Sequence, residues 1–130
     1  MKKLLFILVL FSGCTSKQID LSEQSKKEII SADIAMNDLA AKEGFNAALL
    51  AYADDSVVKP SEGAFPVIGK ENLIKYWAGI EDTRAITWKP FRAEAAKSGE
   101  LGYTLGNWKF VTKDSTFYGF YYTVWKKQAD

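Results

Sequence analysis

The chain has no histidine, and its only cysteine is Cys14. The first absence removes the imidazole base that Ser/His and Cys/His nucleophile systems require. Together the two absences remove the usual ligand sets for zinc and copper. No metal site and no cofactor are expected, and one cysteine cannot form an intramolecular disulfide. A phosphate-cradling loop is missing as well, because Gly99 and Gly102 flank a strand turn instead of leading into a helix. The 17 basic side chains are matched by 16 acidic ones, with no basic run or stripe. A nucleic-acid surface is therefore not expected. The apolar run Leu4 to Phe11 falls short of the roughly 20 residues that a lasting transmembrane helix needs.

That short run fits a different purpose. Met1-Lys2-Lys3 is a basic start, Leu4 to Phe11 an apolar core, and Ser12-Gly13 a pair of small residues before Cys14. This is the pattern of a secretory signal. Phe11-Ser12-Gly13-Cys14 resembles a bacterial lipobox, in which cleavage precedes the cysteine and the thiol carries diacylglycerol. Phe11 stands where Leu is usual, and it is also large and apolar. The expectation is a signal peptide at 1–13, a lipidated Cys14 with a polar tether at 14–24, and one domain at 25–130. Removing residues 1–13 takes away Lys2 and Lys3, leaving 15 basic against 16 acidic side chains. The expected place is the cell envelope, lipid-anchored, at the periplasmic face or outer membrane of a Gram-negative cell.

Within the domain, apolar spacing predicts helices from Ser25 to Lys42, Phe45 to Ala53 and Lys70 to Ile80. Asp54-Asp55 read as a turn and Ser56 to Lys59 as a short strand. Pro60 to Gly69, with two prolines and two glycines, reads as a loop. Three long segments follow, Ala85 to Lys97, Leu101 to Lys113 and Thr116 to Lys127. They are rich in aromatic and β-branched residues and joined by tight turns, which predicts an antiparallel meander. Helices first and strands afterwards indicate an α+β fold, with helices on one face of a curved sheet. In the middle strand the apolar phase shifts after Leu105 to Trp108 and Phe110, and a bulge near Gly106-Asn107 accounts for it. The third strand is apolar on both faces, so the face turned away from the helices needs cover. A homodimer is the simplest source of that cover.

One polar pair stands out. With Ile29 at zero on a helical projection, Met36 and Ala40 fall within about 20° of it. Asp33 falls near 40° and Asn37 near 80° on the same projection, inside the apolar face. A carboxylate directed at a core must be hydrogen-bonded or border a cavity. In one reading Asp33 accepts bonds from a Trp indole, a Tyr hydroxyl or backbone amides. In the other it faces a pocket and binds or protonates a ligand. Trp77, Trp88, Tyr103, Trp108, Tyr121 and Tyr122 are candidate wall residues, and each is equally suited to a sheet core.

The order of several short segments resembles the nuclear transport factor 2-like superfamily (SnoaL-like and ketosteroid isomerase-like proteins). They are the helix with Asp33, Gly44-Phe45, Tyr52 to Val58, and Pro66 to Glu71. Trp88-Lys89-Pro90, Ser98 to Thr104 and Tyr122 to Gln128 look like one branch of it, the domain of unknown function 4440. The resemblance spans 25–130. It implies a cone-shaped pocket between three helices and the concave face of a curved sheet, often in a dimer. Relatives include isomerases, dehydratases and cyclases, and the aspartate of the first helix recurs in the branch. Related chains usually continue past the position of Asp130 into another strand, so an open sheet edge is expected here. Three functions follow as expectations. The first is a lipid-anchored domain binding a small, largely apolar ligand through Asp33, Asn37, Trp77, Trp88, Tyr103 and Tyr121. The second is a cofactor-free acid–base enzyme with Asp33 catalytic and Tyr103 stabilising developing charge. The third is a dimeric interaction module with a vestigial pocket, which a tightly packed interior would favour.

Overall fold

The computed structural model describes residues 19–128. The expected signal segment and residues 14–18 of the expected tether, Cys14 among them, lie outside these residues. The element order is α1 (Ser22–Glu43), α2 (Phe45–Tyr52), β1 (Val58–Ser61), β2 (Ala64–Ile68), α3 (Lys70–Trp77), β3 (Ile86–Ala95), β4 (Leu101–Val111) and β5 (Thr116–Lys126). Strands β3, β4 and β5 form an antiparallel meander in that order, and β1 and β2 form a separate hairpin. Strand β5 is an edge of its sheet. The α+β class and the helices-then-sheet order are as expected.

Helix α1 begins three residues before the expected Ser25, so part of the expected tether is its first turn. Asp20 is the cause: its Oδ1 accepts from the Ser22 amide at 3.0 Å and from the Ser22 hydroxyl at 2.6 Å. That satisfies donors which a helix start otherwise leaves exposed. The start is also tied to the sheet, because the Leu21 amide donates to the Lys97 carbonyl at 2.9 Å. The buried Ser25 hydroxyl adds a bond to the Gly99 carbonyl at 3.1 Å. Downstream, Gly44 breaks the helix at φ 109°, a left-handed value that glycine adopts without strain. Helix α2 then starts with a borrowed cap. The Asp82 carboxylate accepts from the amides of Asn46 and Ala47 at 2.8 and 2.9 Å, placing negative charge at the positive end of the helix.

The segment expected to be a loop, Pro60 to Gly69, is largely strand. It forms the β1–β2 hairpin around Glu62-Gly63, with Val58 opposite Ile68 and Lys59 opposite Val67. Its register breaks between Lys59 and Ser61, at Pro60. A proline has no amide to donate, and bulges and edge strands are where a sheet tolerates it. Helix α3 stops at Trp77, short of the expected Ile80, because the chain turns at Gly79 with φ 77°.

The bulge is on a different strand from the one expected. Pairing of β4 with β5 is continuous from Leu101↔Lys126 to Val111↔Thr116. The irregularity is in β3 at Phe91, between Pro90 and Arg92. Gly102, Thr104, Gly106, Trp108 and Phe110 therefore alternate without a break on the helix side of β4. The apolar phase only seemed to shift because two of the five inward positions are glycines. The fold demands small residues there. A Cβ on Gly102 would lie 2.7 Å from the Glu94 carbonyl oxygen and 3.0 Å from Ile29 Cδ1 of α1. At Gly106 the missing side chain makes room for the Tyr121 ring of the opposing strand. The closest approach of helix to sheet is thus written as glycine, which hydropathy patterning cannot register.

Helix α1 lies across β3 and β4, with α2 beside it and α3 against α2 and the hairpin. Met36, Ala40 and Ala48 form the core between α1 and α2, flanked by Leu39, Trp88 and Trp125. Helix α2 reaches the sheet through aromatic edges: Phe45 meets Trp88 at 5.8 Å and Tyr52 meets Trp125 at 6.1 Å between ring centroids.

Candidate functional site

Asp33 is fully buried, at the middle of the face that α1 turns to the sheet. Its Oδ1 accepts from the Trp88 indole Nε1 at 2.7 Å and from the Tyr121 hydroxyl at 3.0 Å. Its Oδ2 accepts from the Thr104 hydroxyl at 2.5 Å. Each donor comes from a different strand, Trp88 from β3, Thr104 from β4 and Tyr121 from β5. Behind Thr104 the Trp125 indole donates to Thr104 Oγ1 at 3.0 Å, so that hydroxyl both gives and receives a proton. No buried side-chain polar atom among the described residues is left without a partner. Neutral donors surround the carboxylate, and no ion pair of the described residues includes it.

Asn37 lies one helical turn on and repeats the function against the backbone. Its Oδ1 accepts from the Trp88 amide at 2.8 Å. The i, i+4 pair on α1 thus holds both the main chain and the side chain of Trp88. In the edge–to–face contact with Phe45, Trp88 also fixes α2 against β3. Tyr121 responds to this setting. Burial chiefly, and then the negative charge of Asp33 and the bond to it, push its hydroxyl pKa well above the usual 10.0.

The sequence-derived site residues divide into four groups. Asp33, Asn37, Trp88 and Tyr121 are brought together. Trp77 is half-buried at the end of α3, where it meets the edge of Phe45 at 6.4 Å. Tyr103 is on the other side of the sheet. It alternates with Gly102 and Thr104, pairs with Val124, and is 38% exposed. It cannot approach Asp33, because strand β4 itself stands between them. Its expected role beside that carboxylate is therefore corrected. Tyr122 likewise faces outward. Trp108 lies on the inner face, over Gly119 of β5. The residues that sequence reasoning missed are Thr104 and Trp125. For Thr104 the available signal was its place midway between Gly102 and Gly106, at alternate positions of one strand.

Asp33 is fully buried and its carboxylate is held by three side-chain donors. Two surface depressions lie elsewhere. One, of about 330 Å³, is bordered by residues including Leu21, Ser98, Gly99 and Lys127. The other, of about 440 Å³, is bordered by Asn107, Trp108, Tyr118, Gly119 and Phe120. Neither is lined by Asp33 or by a donor to it.

Two outcomes follow from this closure. Replacing Asp33 with Ala leaves the Thr104 hydroxyl and Trp88 indole without their acceptor, and should lower unfolding free energy by about 2–5 kcal/mol. Urea denaturation followed by near-ultraviolet circular dichroism checks it, and a loss below about 1 kcal/mol would contradict the structural role. The second concerns pH. Tyr121 holds its proton more tightly folded than unfolded, so its contribution is fully present below pH 10.0 and is lost as pH climbs through the raised folded value. Stability should fall with rising pH above about 10, and Tyr121→Phe should flatten that fall. Unfolding free energies measured between pH 8 and 11 in about five steps give the comparison.

No protein-family model and no curated protein sequence matches the chain. Solved structures do resemble it. An NTF-2-like protein of unknown function from Shewanella oneidensis superposes with a TM-score of 0.60 at 16% identity, covering 78% of this chain and 88% of that one. A ketosteroid isomerase-like protein from Erwinia carotovora atroseptica gives 0.55 at 14% identity, covering 78% and 84%. An LEH-like epoxide hydrolase from Mycobacterium tuberculosis gives 0.50 at 17% identity, covering 79% and 75%. At these identities the likeness speaks for architecture, and it does so consistently: the chain has an NTF-2-like α+β fold, with a curved antiparallel sheet that does not close into a barrel.

Proposed function

We propose that this chain is a lipid-anchored envelope domain that works as a self-associating interaction module through the outer face of its three-stranded sheet. The observation that carries this reading is the pairing of a closed interior with an open exterior. Asp33, the one carboxylate suited to ligand chemistry by position, has its acceptors occupied by the fold. The convex side of the same sheet is uncovered. There Tyr118 is 73% exposed, Phe120 76%, Tyr122 61% and Val124 63% on β5, with Tyr103, Leu101 and Phe91 beside them.

At the usual area of an aromatic side chain, these residues present on the order of 700–800 Å² of apolar surface. That exceeds the largest patch of an ordinary monomer, roughly 300–600 Å². It matches the roughly 800 Å² that each partner contributes to a stable complex. Arg92 and Glu94 of β3 pair at 3.3 Å at the β3 margin, while Lys89 and Lys109, opposite Asn107 and Tyr118, carry positive charge at one end of the face. A second copy is the occupant that suits this surface, since one sheet packs face to face on another and a two-fold axis needs only a self-complementary patch. Lipidation of Cys14 would hold copies in one membrane plane, raising their effective concentration.

Full-length protein in detergent should sediment as a dimer at micromolar concentration. Phe120→Lys should weaken that dimer roughly 10- to 100-fold while leaving the circular dichroism spectrum unchanged. A monomeric wild type, or a variant that dimerises equally well, would remove the basis of the proposal. For the anchor, cells fed a clickable fatty-acid analogue should label the wild-type chain and not Cys14→Ala. Equal labelling of both would exclude lipidation at that residue.

A further inference from the structure

The polarity of β1 is inverted. Its residues Val58 and Pro60 are exposed, whereas Lys59 and Ser61 are half-buried. A hairpin of this kind would ordinarily turn its apolar residues toward the helices. Here it turns in a lysine. The Lys59 ammonium lies over the Trp77 ring, 5.8 Å from the centroid. It donates to Ser61 Oγ at 3.1 Å and, at 3.5 Å, to the Pro60 carbonyl. None of these partners carries negative charge, and no ion pair of the described residues includes Lys59.

A cation removed from water without a counter-ion is costly. Burial already lowers the pKa of Lys59 below its ordinary value. The contacts that remain are those which position an ammonium without neutralising it. They are a ring face, which attracts the cation, and a hydroxyl, which is free to donate elsewhere. Behind Trp77 the aromatic surface continues, because Phe45 stands edge-on to it at 6.4 Å and to Trp88 at 5.8 Å.

We propose that Lys59, Ser61 and Trp77 form a binding site for a small organic carboxylate with a flat apolar body. The carboxylate sits on the Lys59 ammonium and receives the Ser61 hydroxyl proton. The body lies along the Trp77 and Phe45 rings. One ammonium and one hydroxyl match a single carboxylate in charge and in donor number, and the rings supply the apolar contact. This site is at the hairpin and α3, apart from both Asp33 and the outer sheet face, so it stands independently of self-association.

The probe is benzoate, with benzamide as its neutral counterpart of similar shape, titrated into the full-length chain in detergent. The readout is the indole N–H resonance of Trp77, assigned through Trp77→Phe. Benzoate should shift it saturably. Benzamide, and benzoate with the Lys59→Gln variant, should bind roughly tenfold or more weakly, the loss expected for a charge-assisted hydrogen bond. Lys59→Arg keeps the charge and should retain binding, which separates loss of the site from loss of the fold. Equal responses to benzoate and benzamide, an unaltered response in Lys59→Gln, or no saturable shift at Trp77 would overturn the proposal.

Discussion

A single carboxylate holds helix α1 to all three strands of the main sheet. Asp33 takes one hydrogen bond from β3, one from β4 and one from β5. It therefore sets the height, rotation and tilt of the helix over the sheet together, which apolar contacts alone would leave free to slide. Burying a carboxylate is unfavourable unless its lone pairs are satisfied. The side chains that satisfy it are committed in turn. Trp88 carries Phe45 and α2 with it, and Thr104 engages Trp125. A local demand for hydrogen bonds thus propagates into the packing of most of the domain.

The rest of the inner face is shaped to let that contact form. The helix must approach β4 closely for a short aspartate side chain to reach Thr104. Gly102 removes a side chain that would meet Ile29 of the helix, and Gly106 makes room for the Tyr121 ring that also binds the carboxylate. Bulk is exchanged between β4 and β5, with Tyr121 of β5 over Gly106 and Trp108 of β4 over Gly119. Ring and glycine alternate across the strands, and the carboxylate is left fully buried.

This arrangement bears on how such a fold is used. A cone between helices and sheet is suited to holding a small molecule when its polar groups remain unsatisfied. Here the central polar group is satisfied from within, and the unsatisfied features lie at the periphery. Among the described residues nothing covers the apolar area of the outer sheet face, and none forms an ion pair with Lys59. Both are the places where we propose that a partner from outside the chain binds.

Local chemistry was enough to determine the classes of element and several of their roles. Helical spacing placed Asp33 and Asn37 on the buried face of α1. Alternation made the third strand apolar on both faces, and Tyr121 and Trp125 indeed turn inward while Tyr118, Phe120, Tyr122 and Val124 are exposed. These follow from periods of 3.6 and 2 residues, which any stretch of chain carries within itself. The missing histidine and single cysteine limited the chemistry for the same reason, since composition needs no fold to be read. Tertiary structure decided the remainder. The hairpin at Pro60 to Gly69 forms because partner strands accommodate its prolines. The bulge belongs to β3 because the register is a property of a pair of strands. Tyr103 is excluded from the site because a one-residue difference in alternation puts it across the sheet from Thr104. Whether Asp33 met a ligand or a ring of donors depended on side chains 55, 71 and 88 residues away. No periodicity spans such distances, and only the folded chain brings those groups within hydrogen-bond reach.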